Sequence, residues 1–218
     1  MRWRAALIGG AILLACGCAA PLALMPVTPL LSAMLSTRGG DYENAKRIEE
    51  LQRKGDWAGL ARLAQAMVAA NANNEDALIL LGYAQLQLRD IPGATETLTR
   101  ATRISPEEID AWNLLGEAQR LSGRPDAAIR TLVHATSVDP SSPASLFLLG
   151  EAYQDAGSVE RALVAYNAAV ELEPGMSPAW FSMGLLLKRS GRREEAAKAV
   201  QVLQKLDPAL AAKLAAEK

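Results

Sequence analysis

Side chains able to do covalent or acid–base chemistry are few in this sequence, and they are far apart. Its two cysteines, Cys16 and Cys18, lie near the start, and its single histidine, His134, lies far downstream. A nucleophilic thiol needs a base within hydrogen-bond reach, a zinc site needs ligands at short fixed spacings, and a phosphate cradle needs clustered glycines. From Asp41 onward the sequence offers none of these. His134 directly precedes Ala135 in a stretch that reads as helix, where a solvated imidazole is expected. The acidic pairs Glu107-Glu108 and Glu194-Glu195 fall near expected helix starts, where a carboxylate is favoured by the positive end of the helix dipole. The sequence therefore predicts no enzyme, no cofactor and no metal. What remains is non-covalent recognition, with two thiols to be explained separately.

Composition narrows the partner. Lys and Arg number 23 against 24 Asp and Glu, for a net charge of -1 over 218 residues, so no basic excess points to nucleic acid. Half the residues are apolar but only 5% are aromatic, as expected for closely stacked helices. With both cysteines near the start, the folded part has no disulfide framework.

The elements that position any recognition surface repeat every 34 residues. Glycine recurs as Gly82, Gly116, Gly150 and Gly184, a small residue as Ala94, Ala128, Ala162 and Ala196, and proline as Pro106, Pro140, Pro174 and Pro208. Turn glycines stand at Gly123, Gly157 and Gly191, with Arg89 in the corresponding place of the first copy. A mid-helix glycine costs about 1 kcal/mol relative to alanine, so its recurrence implies close contact between backbones. We expect Gly116 to face Ala128 across the crossing of two antiparallel helices, and the other glycines to face their own alanines. Ala101, Ala135 and Ala169, with Leu203 in the last copy, are expected to lie against the next unit. Pro92 and Pro125 read as starts of second helices, and Ser142-Pro143 and Ser177-Pro178 as cap-plus-proline starts.

Four copies of these marks in unbroken register resemble the tetratricopeptide repeat, TPR. The resemblance implies an all-α fold, a right-handed superhelix of helix–turn–helix units at 75–108, 109–142, 143–176 and 177–210. Residues 41–74 read as a degenerate hairpin of the same kind. Gly55 keeps the turn there, while Ile48, Leu60 and Ala72 replace the glycine, alanine and proline; terminal repeats are commonly atypical. Residues 208–218 read as a C-terminal capping helix.

The start of the chain is different. Arg2 and Arg4 precede an apolar run from Ala5 to Ala15, which is the layout of a secretory signal peptide. Leu13-Leu14-Ala15-Cys16 resembles the bacterial lipoprotein signal. That resemblance implies cleavage after residue 15 and acylation of Cys16, with Cys18 as the alternative and an uncut N-terminal inner-membrane helix as the other reading. Residues 16–40 would then be a lipidated tether. Its 21–38 part is apolar, and Leu30, Leu31, Met34 and Leu35 would share one face of a short helix. The expected location is the bacterial cell envelope, lipid-anchored and facing the periplasm, with Gly17 favouring the outer membrane over the inner.

In TPR proteins the first helices line a concave groove. Transferring those positions gives Tyr83, Leu86, Asn113, Glu117, Arg120, Phe147, Glu151, Asp155, Phe181 and Lys188. The expected groove is apolar at Tyr83 and Leu86, acidic around Glu117, Glu151 and Asp155, and apolar then basic at Phe181 and Lys188. The lysine/asparagine carboxylate clamp of chaperone adaptors is not carried, since Ile79 and Phe147 occupy its places. The expected ligand is a protein with a basic segment and apolar anchors. The layout is similar to TPR lipoproteins that assist pilus or secretion machinery. Alternative readings are an adaptor for peptidoglycan or exopolysaccharide enzymes, and a self-associating structural protein that forms a homodimer.

Overall fold

The protein is described by a computed structural model that covers residues 42–217. The expected signal peptide, Cys16, Cys18 and the apolar 21–38 stretch lie outside the described residues. The described chain is a succession of eleven helices with no strand among them: α1 Tyr42–Lys54, α2 Trp57–Ala70, α3 Glu75–Gln87, α4 Ile91–Ile104, α5 Ile109–Leu121, α6 Pro125–Val138, α7 Pro143–Asp155, α8 Val159–Leu172, α9 Ser177–Arg189, α10 Arg193–Leu206 and α11 Pro208–Ala216. Among the described residues, no helix is long and apolar enough to cross a membrane.

Each hairpin turns through one left-handed residue, at Gly55, Arg89, Gly123, Gly157 and Gly191, all with φ between 64° and 78°. At each, the amide that follows donates back across the helix end, as Arg124 N to Gln119 O at 3.0 Å does. This is the Schellman arrangement, which satisfies carbonyls that a helix end otherwise orphans. Second helices α2, α4 and α6 then start on caps or prolines, while α8 and α10 have neither. Asp56 and Asp90 accept from Gly59 and Gly93, while Pro92 and Pro125 occupy first-turn positions. Between hairpins, Asn74 accepts from Ala77 N, and Ser142 from Ser145 N. The expected Ser177 cap does not form. Met176 occupies that place, Ser177 is the first helical residue, and no side chain caps α9.

The atoms nearest to the first three recurring glycines do not belong to the recurring alanines. A Cβ on Gly82 would stand 2.5 Å from Leu98, one on Gly116 2.5 Å from Leu132, and one on Gly150 2.6 Å from the Tyr166 ring. The partner is thus a large residue one turn beyond the alanine, and the glycine opens a slot for it. Ala94, Ala128, Ala162 and Ala196 are buried beside that slot, as are Ala101, Ala135, Ala169 and Leu203 on the far side of the second helices. In the first hairpin, Ile48 and Leu60 replace the small pair and are fully buried. There α1 touches only α2 among the described helices.

The contact pattern sets the curvature. The first helices touch in succession, α3 with α5, α5 with α7, α7 with α9 and α9 with α11, while α4, α6, α8 and α10 do not touch one another. A stack that is tight on one side and splayed on the other bends, so the first helices line its concave side. Trp112 Nε1 donates to Pro106 O at 2.8 Å, and Trp180 Nε1 to Pro174 O at 2.9 Å. These two bonds tie a first helix to the proline turn that leads into it.

Candidate partner-binding groove

The concave wall is less apolar and less freely acidic than the sequence predicts. Tyr83, Leu86 and Phe147 are core side chains, with Leu86 fully buried. Trp57 packs edge-on against Tyr83 at 5.8 Å, and Phe147 lies 5.9 Å from Tyr166. The expected exposed anchors are therefore spent on packing, Tyr83 between hairpins and Phe147 against the second helix of its own. A sequence pattern marks the inner face of a helix, but cannot say which of its residues a neighbouring helix then covers.

Arg120 and three carboxylates come together at the centre. Arg120 Nε donates to Glu117 Oε2 at 2.7 Å and Nη2 donates to Glu117 Oε1 at 2.9 Å, a bidentate pair within α5. Nη1 donates to Asp155 Oδ2 at 2.9 Å, and Nη2 lies 3.5 Å from Glu151 Oε2, both on α7. Charge-assisted forked pairing of this kind is strong and directional. Instead of an open acidic patch, one guanidinium bridges two repeats and holds three carboxylates. Two negative charges remain in surplus when all three are ionised.

Exposure falls steeply across the cluster. Glu117 is 4% exposed, while Asp155 lies at the surface. Burial pushes the Glu151 carboxyl up to about 7 against the pull of Arg120, and Glu117 and Asp155 add to the rise. Burial alone would weaken the charge on Arg120, but Glu117, Glu151 and Asp155 hold its pKa above the ordinary arginine range. Tyr166 underlies the cluster; its phenol is raised by burial and by Glu151, and its hydroxyl donates to Gln154 Oε1 at 3.2 Å.

Toward the start of α5 the wall stays rich in acceptors. Burial and then Glu108 push Asp110 up to about 6. Asn113, one turn before Glu117, is 6% exposed, and its Oδ1 has no hydrogen-bond partner among the described residues. A buried acceptor left unpaired costs free energy, so this position suits a ligand that brings a donor.

At the other end, Lys188 is not available as the basic element the sequence suggests. Its Nζ donates to the carbonyls of Leu214, Ala215 and Glu217 at 2.8, 3.0 and 2.5 Å, capping α11. Phe181 is half-buried beneath Lys213, whose Nζ lies 5.1 Å from the ring centre. His134 is exposed and packs edge-on against Trp112, with ring centres 4.3 Å apart. Glu108 caps α5, and Glu195 pairs with Arg192 in a forked contact. Among the described residues no group of three or more His, Cys, Asp or Glu could hold a metal.

These features sit on a widely shared scaffold. Solved structures superpose on it closely. One is a crystal structure of MamA, with TM-score 0.63 and 25% identity over 74% of this chain and 94% of that one. Another is TTC0263, a thermophilic TPR protein of Thermus thermophilus, with TM-score 0.67 and 21% identity over 78% of this chain and 94% of that one. A third is YrrB, described as a TPR protein with an unusual peptide-binding site, with TM-score 0.58 and 17% identity over 86% and 96%. No curated protein matches the sequence. The profile of the tetratricopeptide repeat family matches residues 79–137, 113–177 and 147–211 in overlapping pairs of repeats, and with the 34-residue hairpins, the turn residues and the glycine slots in register, the chain belongs to that family.

Proposed function

We propose that the protein is a non-catalytic scaffold that holds a segment of a partner protein along the concave wall formed by α3, α5, α7 and α9. The observation that carries this reading is the Arg120 cluster. It concentrates three carboxylates around one guanidinium on the inner face, leaves a negative surplus, and lies on the same face of α5 as the unpartnered Asn113 Oδ1. Such a surface attracts a basic segment and offers acceptors to its N–H groups. The likeness to YrrB supports the use of this fold for peptides. The apolar anchors of the ligand are assigned to the Phe181 end, because Tyr83 and Leu86 are covered.

We place the protein at the bacterial cell envelope, tethered through acylated Cys16 or Cys18, on the strength of Arg2, Arg4 and the apolar run that ends in Leu13-Leu14-Ala15-Cys16. Pilus or secretion machinery is the first process to test, and capture of a peptidoglycan or exopolysaccharide enzyme would redirect it. The experiment is in-cell photocrosslinking from Gln154 in the full chain. It compares the native protein with Asp155→Lys and Glu151→Gln/Asp155→Lys, leaving buried Glu117 intact. A partner captured by the native protein and lost from both variants supports the reading. Undiminished capture by the double variant would sink it. Labelling with a fatty-acid analogue, abolished by Cys16→Ser, tests the anchor.

A further inference from the structure

The splayed side of the stack carries a second surface, and its charge is opposite to that of the groove. A cleft of about 730 Å³ runs along the outer face of α4 to the α5–α6 turn. Ile91, Pro92, Thr95 and Thr99 form its floor, and Arg100, Arg103 and Arg124 stand on its rim with Glu96 as the one acidic neighbour. Both threonine hydroxyls donate to carbonyls of their own helix, Thr95 to Ile91 O and Thr99 to Thr95 O, so their protons are not free for a ligand. Arg100 donates to the carbonyl of Ala72, a neutral acceptor that leaves its charge uncompensated. Arg103 and Arg124 are exposed, and their guanidiniums have no hydrogen-bond or ion-pair partner among the described residues. Three guanidiniums against one carboxylate leave a net charge of two positive around an aliphatic floor.

We infer that this cleft is a docking site for an extended acidic protein segment, one that alternates carboxylates with an aliphatic anchor. Length favours such a ligand over a compact anion. From Ile91 to Arg103 the lining runs along about 18 Å of helix, and a compact anion held between Arg100 and Arg103 would leave the apolar part from Ile91 to Thr95 uncovered. Guanidinium forks select planar carboxylates, while the floor beside Ile91 and Pro92 accepts an aliphatic side chain. A second copy of the chain is a poor occupant. The carboxylates clustered on its inner wall stand on folded helices around Arg120, not on an extended segment that could lie along the cleft. The protein thus carries two faces of opposite preference, basic segments inside and acidic segments outside, and can bridge two different partners.

The test uses the full-length protein in mild nonionic detergent and a fluorescein-labelled peptide built from glutamate, leucine and glycine, read by anisotropy. Binding is expected to weaken at least tenfold in Arg103→Glu/Arg124→Glu. That variant should in turn bind the same peptide with lysine in place of glutamate. Both arginines are exposed, and a glutamate is unfavourable in the last turn of α4 but favourable at the start of α6, so the melting temperature should change little. Asp155→Lys, which disables the inner wall, should leave acidic-peptide binding unchanged, so the two surfaces fail or succeed separately. Equal binding by native and double-reversed protein would overturn the inference. So would displacement of the peptide by equimolar inorganic phosphate, which would mark a simple anion site, or binding that appears only with protein self-association.

Discussion

Leu214 of the closing helix fills the slot over Gly184: a Cβ on that glycine would stand 2.5 Å from Leu214 Cδ2. In the three preceding repeats the same slot takes a residue of the repeat's own second helix, Leu98, Leu132 or Tyr166. In the last repeat, Ala199 and a side chain from α11 share the task. The closing helix is therefore part of the last repeat's core. Leu214 is fully buried with Ala199, Leu203 and Ala211. Leu214→Ala should cost about 2–4 kcal/mol through lost burial and the cavity left behind. Calorimetry with hydrogen exchange checks it: protection should fall first in α10 and α11. Native-like protection there would show that α11 merely rests on the array.

The glycine slots predict a result opposite to helix propensity. Alanine is favoured over glycine within a helix by about 1 kcal/mol. At Gly116, however, the added methyl would meet Leu132 Cγ at 2.5 Å. Gly116→Ala should destabilise by about 1–3 kcal/mol. Adding Leu132→Ala should cost much less in that background than in the native protein, because the clash is relieved as the methylenes are removed. Strict additivity in chemical denaturation would show that the two residues do not share a slot.

Arg89 holds φ 64° where every other described hairpin turn has glycine. A left-handed conformation costs a residue with a Cβ about 1–2 kcal/mol. Glycine recovers that while adding freedom to the unfolded chain. Arg89→Gly should raise the midpoint of thermal unfolding, with a net gain of about 0.5–1 kcal/mol. A lower midpoint would mean that contacts of the Arg89 side chain outweigh its backbone strain.

The helices were legible because each repeat spells its own punctuation. Gly123, Pro125 and Pro140 are local signals that act through one or two dihedral angles, so sequence reads them well. The partner of each glycine was not legible. The alanine and the leucine one turn later both lie on the face that meets the first helix, and only the three-dimensional crossing decides which one enters the slot. The burial of two groove positions was hidden for a related reason. Leu86 and Phe147 lie on inward faces, but their burial depends on the helices packed against them. The pairing of Arg120 with Glu117 had a readable cue, since the two stand at the i, i+3 spacing that pairs opposite charges on a helix. Its reach to Asp155, in the next repeat, had none. Lys188 reads as a free cation until α11 ends beside it.

Glu151 makes the groove sensitive to pH, and the sign can be worked out. In the unfolded chain its carboxyl titrates near 4.5, and in the fold at about 7. Facing it are Glu117 and Arg120 from α5, Asp155 from its own helix and the Tyr166 phenol from α8. Between these two values the folded protein keeps a proton that the unfolded chain has lost, so this group makes stability fall as pH rises through that window. Glu151→Gln should remove this contribution and stabilise the protein at pH 8 by about 1–2 kcal/mol, with little change at pH 4.5. Asp110, raised to about 6 by burial and Glu108, acts in the same direction and leaves a smaller slope in the variant. Unfolding followed at pH 5 and pH 8 checks this, and parallel profiles for the two proteins would refute it. Binding should move the other way. A basic partner segment beside Glu151 favours its ionised form, so affinity for such a segment should rise from pH 5.5 to pH 8 in the native protein. The same rise in Glu151→Gln would assign the effect to another group.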